Sequence, residues 1–337
     1  MTSTRALGPA ELLAAARSGD RAAIARLLSL VERGGEGARS VGVLTHGQGS
    51  DAYTVGLTGA PGAGKSTLTN ALVSVVRRLG GDGDGEGDGG GPERVAVLAI
   101  DPSSPFSGGA ILGDRVRMGD HATDAGVFIR SMATRGHLGG LAVAAPEAVR
   151  VLTAAGFPWV ILETVGVGQV EVDVAAHADT TVVVVNPGWG DAVQANKAGL
   201  LEIADVFVVN KADRPGADEA VADLARMLDL AGTGHGPGEW RPPVVPAVAA
   251  DGTGVADVWA AITDHRAHLL AGAGEGLAAR RHERAADEVT RLVAARLLER
   301  ARELTAGPRA AALAEAVARG EIDPWTAVDE LLPSPEE

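Results

Sequence analysis

The segment YTVGLTGAPGAGKSTLTNAL (53–72) constrains the fold most strongly, because a Gly-x4-Gly-Lys-Ser sequence joins an apolar stretch to a potential helix. Such a loop binds phosphate when a strand precedes it and a helix follows it. The glycines let backbone N–H groups surround the phosphate oxygens, and the helix N-terminus adds partial positive charge. The sequence therefore predicts a nucleotide phosphate site formed by Gly59, Ala60, Pro61, Gly62, Ala63, Gly64, Lys65, Ser66 and Thr67.

Two side chains of this loop have separate expected roles. Lys65 would reach the outer phosphates and act in catalysis, and the Ser66 hydroxyl would bind Mg²⁺. Mg²⁺ prefers hard oxygen ligands, and ligands in an open α/β sheet lie at or beyond the carboxyl ends of the strands. Three acidic residues meet that condition as further metal candidates: Asp101, Asp114 and Glu163.

The segment DVFVVNKAD (205–213) predicts which base accompanies the phosphates. Its Asn210-Lys211-x-Asp213 sequence follows an apolar strand and should lie at the edge of the sheet where ligands bind. The Asp213 carboxylate can accept hydrogen bonds from the N1–H and the 2-amino group of guanine, whereas adenine would leave it unpaired. The Lys211 stem can lie over the purine face. We therefore expect GTP or GDP as the bound nucleotide.

The segment ETVG, which begins at Glu163, has the acid-x-x-Gly form that is typical of a nucleotide switch. Gly166 can offer a backbone N–H to the γ-phosphate and release it after hydrolysis. Many GTPases place a water-orienting glutamine directly after this glycine, whereas here Val167 follows and Gln169 comes two residues later. Gln169 is therefore either the water-positioning residue or a structural residue of the loop. Slow turnover that a partner raises is expected from this spacing.

Apolar strands alternate with helices over residues 51–270, which predicts an α/β domain with a mostly parallel central sheet and helices on both faces. The expected strands are 53–58, 95–100, 127–130, 159–163, 180–186, 205–210 and 244–249. Residues 1–50 form an N-terminal helical segment, in which two short amphipathic helices are separated at Asp20. Residues 271–337 form a C-terminal helical arm.

The C-terminal arm begins with a long Arg/Glu-rich helix over 277–304, and two shorter helical segments follow. The apolar stripe of the long helix must be buried against another surface; it includes Val289, Leu292, Leu297 and Leu304. Within the α/β domain, residues 80–93 contain eight glycines and five acidic residues. Such a segment cannot bury enough apolar surface to offset its ordering, so we predict a disordered surface insert.

Composition narrows the class of partners. The formal net charge of −14 argues against sequence-independent binding of nucleic acid, which requires a basic face. The chain has no cysteine, so it has neither disulfides nor thiolate metal sites. It shows no run of about 18 apolar residues, and its N-terminus lacks the apolar core of a signal peptide. We expect a cytoplasmic protein that binds neither nucleic acid nor a membrane.

Four longer stretches extend these motifs: DPSSPFSGGAILGDRVRM, IRSMATRGHLGGLA, ILETVGVGQVEVD and NPGWGDAVQANKAGLLEIADVFVVNKAD. Through them the chain closely resembles the methylmalonyl-CoA mutase-associated GTPases, the MeaB/ArgK group of the dimeric nucleotide-switch GTPases. The resemblance implies that GTP binding and hydrolysis gate the loading of adenosylcobalamin onto an acyl-CoA mutase and protect that mutase during turnover. It also implies a homodimer that is held largely by the C-terminal helices.

The same resemblance implies three switch segments, which correspond to Asp101–Asp114, Glu163–Glu171 and Asn186–Lys197. Lys197 resembles a position that the family uses to couple the switch to its partner. Lys197 is therefore grouped with three other residues that are expected to act in catalysis: Lys65, Glu163 and Gln169.

Two other functions share parts of this pattern. A metal-centre maturation GTPase would need clustered cysteine or histidine ligands, but only His265 and His268 lie close together, on a helix face that we expect to be solvated. A transport-associated ATPase or kinase conflicts with the guanine-specific motif at Asn210–Asp213. Metal analysis separates the first alternative from the mutase chaperone, and comparison of GTP with ATP binding separates the second.

Overall fold

The computed structural model describes residues 7–49, 51–79, 93–101, 119–121, 123–133, 140–164, 177–188, 197–232, 238–272 and 276–332. These residues form two compact units, one that ends at Arg284 and one that begins at Ala285. The first unit contains the sheet and the N-terminal helices. The insert predicted over residues 80–93 lies outside the described residues except for Glu93.

A sheet of seven parallel strands forms the centre of the first unit. The strands are β1 (Tyr53–Thr58), β2 (Val95–Asp101), β3 (Val127–Ala133), β4 (Trp159–Thr164), β5 (Thr180–Val185), β6 (Val206–Asn210) and β7 (Val244–Ala247). Their spatial order is β3-β2-β4-β1-β5-β6-β7. All seven predicted strands are confirmed. β7 ends two residues earlier than predicted, because Val248 pairs with Thr253 in a turn instead of continuing the sheet.

Helices cover both faces of the sheet, as predicted. The helices in the described residues are α1 (Pro9–Arg17), α2 (Arg21–Arg33), α3 (Gly35–Thr45), α4 (Lys65–Leu79), α5 (Gly140–Ala154), α6 (Lys197–Ile203), α7 (Ala217–Leu230), α8 (Val255–Ala271), α9 (Leu277–Thr305), α10 (Pro308–Ala318) and α11 (Pro324–Leu331). Val95 and Val97 of β2 pack in the core shared with α4 and α8, whereas Ala96 and Leu98 pack in the core shared with α5 and the N-terminal helices. This alternation follows the two-residue period of a strand.

The predicted break between the first two helices is confirmed at Asp20, whose carboxylate accepts hydrogen bonds from the N–H groups of Ala22 and Ala23 and so caps α2. Helix α3 was not predicted, because the glycines in GEGARSVGVLT lower its intrinsic helix propensity. Val41 of α3 is fully buried in the core beside α5. Tertiary packing therefore stabilises a helix that the local sequence does not indicate.

Helix α9 begins at Leu277 as predicted and continues into the second unit, which otherwise consists of α10 and α11. Three residues of its predicted apolar stripe are exposed in the single chain: Val289 by 61%, Leu292 by 39% and Leu297 by 62%. Leu304 is half-buried, so most but not all of this stripe is uncovered within the described part of one chain. No helix among the described residues combines the length and apolar character that a membrane crossing requires.

Candidate nucleotide-binding site

The loop between β1 and α4 lies at the carboxyl edge of the sheet, the edge formed by the C-terminal ends of the parallel strands. Gly59, Gly62 and Gly64 have positive φ angles of 134°, 76° and 93°. A Cβ atom on Gly59 would lie 2.0 Å from the carbonyl oxygen of Val184, and one on Gly64 would lie 2.3 Å from Nδ2 of Asn210. The loop therefore requires glycine at Gly59 and Gly64 both for backbone conformation and for space.

Lys65 is the first residue of α4, and its side chain is almost completely buried. The ammonium group donates hydrogen bonds to the carbonyl oxygens of Gly59 and Ala60, the second over 3.2 Å. A buried ammonium is stable only where polar groups accept its hydrogen bonds. These contacts hold a positive charge within the loop that the sequence assigns to nucleotide phosphates.

Ser66 follows in the first turn of α4, and its hydroxyl donates a hydrogen bond to Oε1 of Glu163. Glu163 is a buried residue near the end of β4, which pairs with β1 so that Glu163 is level with Leu57. A hydroxyl and a carboxylate in direct contact supply the hard oxygen ligands that Mg²⁺ prefers. The two residues therefore fit the metal, and their role as its ligands stays a prediction.

The other predicted metal and switch residues are described only in part. Asp101 is the last residue of β2, so its backbone lies at the carboxyl edge beside β4, but its side chain is outside the described residues. Lys197 is the first residue of α6, and only its backbone is described. Asp114, Gly166 and Gln169 lie outside the described residues altogether. The roles of all five stay predictions.

Asn210 joins the base motif to the phosphate loop. It is the last residue of β6, and its buried side chain donates from Nδ2 to the carbonyl oxygen of Ala63 over 2.8 Å. Its Oδ1 accepts a hydrogen bond from the N–H of Ala249 over 3.0 Å. The sequence did not identify Ala249 as part of the site. This residue contributes only its backbone N–H, and an alanine side chain does not indicate such a role. One amide side chain thus fixes three loops relative to one another.

Lys211 has a φ angle of 59°, which makes it the one non-glycine residue with positive φ among the described residues. This conformation is uncommon for a lysine. Its ammonium donates to the carbonyl oxygen of Gly62 in the phosphate loop, and the next residue, Ala212, donates its N–H to the carbonyl oxygen of Ala247 over 3.0 Å. Asp213 follows with an exposed side chain. Its carboxylate is accessible and can accept the two donors of guanine.

His265 lies at the amino edge of the sheet, the edge formed by the N-terminal ends of the strands, and the prediction that it occupies a solvated helix face is wrong. Its side chain is fully buried, with Nδ1 2.8 Å from the Thr180 hydroxyl. Nε2 lies 3.3 Å from Oδ1 of Asp205, without the geometry of a hydrogen bond. Burial lowers the pKa of His265 to about 4, although the Asp205 carboxylate acts in the opposite direction. Polar groups at the starts of β5 and β6 make this burial possible.

Comparison with known proteins identifies the family of the chain. The family model described as methylmalonyl Co-A mutase-associated GTPase MeaB matches residues 24–306 of the chain. A protein of Pyrococcus abyssi that is named as a GTPase is 45% identical over 322 residues, which cover 96% of this chain and 95% of that protein. The resemblance inferred from the sequence motifs is thereby confirmed.

A mouse protein and a solved structure extend the comparison. The methylmalonic aciduria type A homolog of Mus musculus, named as mitochondrial, is 36% identical over 232 residues, which cover 68% of this chain and 52% of that protein. The crystal structure of a protein named LAO/AO transport system kinase has a TM-score of 0.68 and 27% identity, and the match covers 96% of both chains. The match to this solved structure therefore extends over nearly the whole chain.

Proposed function

The chain belongs to the family of methylmalonyl-CoA mutase-associated GTPases, and from this we propose that it is a GTP-dependent chaperone of a cobalamin-dependent acyl-CoA mutase, with methylmalonyl-CoA mutase as its main client. In this role GTP binding and hydrolysis gate the loading of adenosylcobalamin onto the mutase and protect the mutase during turnover. The hydrogen bond from Asn210 to Ala63 supports the nucleotide part of the proposal, because it joins the phosphate loop to the guanine motif. The mutase client is inferred from the family.

In the proposed reaction, GTP lies across the carboxyl edge with its phosphates in the loop and its guanine against Asp213 and Lys211. Lys65 places positive charge at the outer phosphates, where negative charge shifts during phosphoryl transfer. Ser66 and Glu163, together with Asp101 and Asp114, would hold Mg²⁺, which when bound supplies further positive charge to the phosphates. Gln169 is the proposed water-positioning residue.

Three segments are proposed to report the state of the nucleotide: 101–114, 163–171 and 186–197. Each begins at or beside the last residue of a strand that ends at the carboxyl edge, as the bounds of β2, β4 and β5 show. A γ-phosphate can change a partner's binding only through segments whose conformation depends on it. We assign Lys197, the last residue of the third segment and the first of α6, to the coupling of nucleotide state to the mutase.

The proposed assembly is a homodimer whose contacts come largely from the C-terminal arm, residues 271–337. The support is the exposed apolar stripe of α9, where Val289 and Leu297 are each more than half exposed. Burying such a stripe against a second copy would remove apolar surface from water, which is the main favourable contribution to association. An amphipathic helix normally buries its apolar residues, so their exposure in one chain supports a partner surface.

The test of this function is GTP turnover measured with and without the purified acyl-CoA mutases of the source cell. We expect a mutase to raise turnover of the parent protein and Lys197→Ala to lose more of the stimulated rate than of the basal rate. Arg39→Ala is a suitable control, because Arg39 is exposed and pairs only across one helical turn with Glu36. Equal turnover with and without every mutase would leave a GTPase with another client.

The alternatives named from the sequence make different predictions. A transport-associated kinase or ATPase would bind ATP at least as well as GTP, whereas the exposed carboxylate of Asp213 favours guanine. A metal-delivery GTPase would carry nickel or zinc at stoichiometric levels after purification. Within the described residues, no group of three or more His, Asp or Glu side chains is arranged to hold a metal ion. Competition between GTP and ATP, together with metal analysis of the purified protein, separates these functions.

A further inference from the structure

The three connections that carry the proposed switch segments return to the sheet in the same way. Each leaves the carboxyl edge after β2, β4 or β5 and reaches the amino edge at an aspartate close to the next strand. Asp124 lies three residues before β3, Asp179 lies directly before β5, and Asp205 lies directly before β6. We call these three residues the return aspartates. In the described structure each is held by at least one arginine.

Two of the return aspartates are bound by the first two turns of α9. Arg281 places Nη2 3.0 Å from Oδ2 of Asp179, and Arg284 contacts the other carboxylate oxygen. Arg284 also donates to the carbonyl oxygen of His177 over 3.0 Å. Arg280 binds both carboxylate oxygens of Asp205, over 2.7 and 3.0 Å. We call Arg280, Arg281 and Arg284 the α9 arginines. They belong to the first compact unit, together with both carboxylates.

Both carboxylates also accept hydrogen bonds from backbone N–H groups of neighbouring strands. Asp179 accepts the N–H of Thr54 over 2.9 Å, and Asp205 accepts the N–H of Thr181 over 2.8 Å. Arg281 further donates to the carbonyl oxygen of Ala52, next to the start of β1. The starts of the adjacent strands β1, β5 and β6 are therefore tied to one helix. The same strands lead to the phosphate loop, the third switch segment and the guanine motif at their other ends.

The third return aspartate provides a contrast. Asp124 is bound by Arg77 of α4 through two hydrogen bonds of 2.8 Å each. This pair has the same forked geometry, but its arginine belongs to the helix that begins at the phosphate loop. The first switch connection is therefore held within the nucleotide domain, and the second and third are held by α9.

The environment of Asp179 makes its contacts costly to break. Its side chain is almost fully buried, and burial alone would raise its pKa, but the guanidinium groups of Arg284 and Arg281 outweigh this effect and hold the pKa below the usual range. A buried carboxylate that loses its partners is strongly destabilised. Residues 177–179 and the first two turns of α9 should consequently move together.

We propose that the α9 arginines couple the nucleotide state to the C-terminal helix by binding the residues at which the second and third switch connections return to the sheet. The significance of this coupling for a client rests on the proposed chaperone function. The coupling itself requires only that bound GTP and bound GDP differ in their effect on those connections. The α9 arginines are then positioning residues, because they contact the ends of the switch connections at Asp179 and Asp205.

The test uses the full chain without a mutase, so that it stays informative if the client assignment fails. Amide hydrogen exchange of residues 277–284 is compared between the GDP complex and the complex with a non-hydrolysable GTP analogue. The parent should exchange at different rates in the two complexes. Arg281→Ala with Arg284→Ala should lose most of that difference while it still binds GDP, because only the contact of Arg280 with Asp205 remains. Arg77→Ala, which removes the arginine of the contrasting pair, should retain the difference.

A second variant covers the case in which the double substitution prevents folding. Arg284→Ala alone leaves Asp179 paired with Arg281, so the carboxylate keeps a counter-charge, and the difference in exchange should be reduced but not abolished. Equal exchange of residues 277–284 in the two complexes of the parent would overturn the proposal. A difference of parental size in Arg284→Ala and in any folded double variant would also overturn it. If the parent kept its nucleotide-dependent exchange but no mutase raised its GTP turnover, the client assignment would be refuted and the coupling would stand.

Discussion

Asn210 donates a hydrogen bond from Nδ2 to the carbonyl oxygen of Ala63 over 2.8 Å, so the end of β6 and the phosphate loop are fixed to each other by one buried side chain. The same amide accepts the N–H of Ala249. The segments that we propose to contact the base and the phosphates are therefore joined directly by hydrogen bonds of one side chain. Such an arrangement reduces the ordering cost of binding.

Asp213→Asn should weaken GTP binding by roughly tenfold or more, because the new amide cannot accept both donors of guanine. The same change should improve the binding of xanthosine triphosphate, which has an oxygen in place of the 2-amino group. Thermal stability should not change, since the Asp213 side chain is exposed. Competitive titration with the two nucleotides checks both effects, and an unchanged GTP affinity would rule out the guanine contact.

Glu163→Gln should raise the Mg²⁺ concentration needed for half-maximal GTP turnover by about an order of magnitude, because a neutral amide is a poorer ligand for a hard cation. The glutamine keeps an oxygen that can accept the hydrogen bond from Ser66, so folding should be preserved. Glu32→Gln is the matched control, since Glu32 pairs with Arg130 away from the loop. The same Mg²⁺ dependence in both variants would remove Glu163 from the metal site.

His265 should make the free energy of unfolding depend on pH between about 4 and 6.5. The folded state keeps this imidazole neutral because its pKa is lowered to about 4, whereas the unfolded chain binds a proton near its ordinary pKa of 6.5. The stabilisation is fully present above the unfolded pKa and is lost as the pH falls towards the folded value. From pH 7 to 5 the loss from this residue should be about 2 kcal/mol.

Urea unfolding of the parent and of His265→Asn at pH 7 and pH 5 measures this contribution. Asparagine keeps a polar group near Thr180 but does not titrate in this range. The parent should lose more stability than the variant as the pH falls. An identical loss in both proteins would assign the pH dependence to other groups.

A chain that ends after Arg284 should remain folded and bind GTP but should not dimerise, because the first compact unit is complete at that residue and the exposed stripe of α9 has been removed. A chain that ends at Gly272 should melt at a lower temperature, because Asp179 and Asp205 would lose the arginines that bind them. Thermal melting and sedimentation of the two truncated proteins test these expectations. Equal melting temperatures would show that the α9 arginines do not stabilise the first unit, and a persistent dimer would place the interface elsewhere.

The sheet could be predicted from the sequence because a strand that is buried on both faces is a continuous apolar run, as TTVVVV in β5 is. The phosphate loop could be predicted because its glycines, Lys65 and Ser66 are adjacent in the chain. Helix α3 could not, since its stability comes from the burial of Val41 and not from its glycine-containing sequence.

The contacts that join distant segments were not predictable. Asn210 and Ala63 are 147 residues apart, and Arg284 and Asp179 are 105 residues apart, so no local spacing relates either pair. His265 was misplaced for the same reason. Its helix does not reveal that Thr180 lies opposite to bind the imidazole at a buried position.

Strands β5 and β6 are six and five residues long. At a rise of about 3.3 Å per residue, they separate the amino edge from the carboxyl edge by roughly 16 to 20 Å. A small molecule that inserts between α9 and the amino edge would be too far away to touch the nucleotide. Excess GTP would therefore not relieve inhibition by such a compound. The compound would also be selective for this protein over GTPases that share only the phosphate loop and the guanine motif.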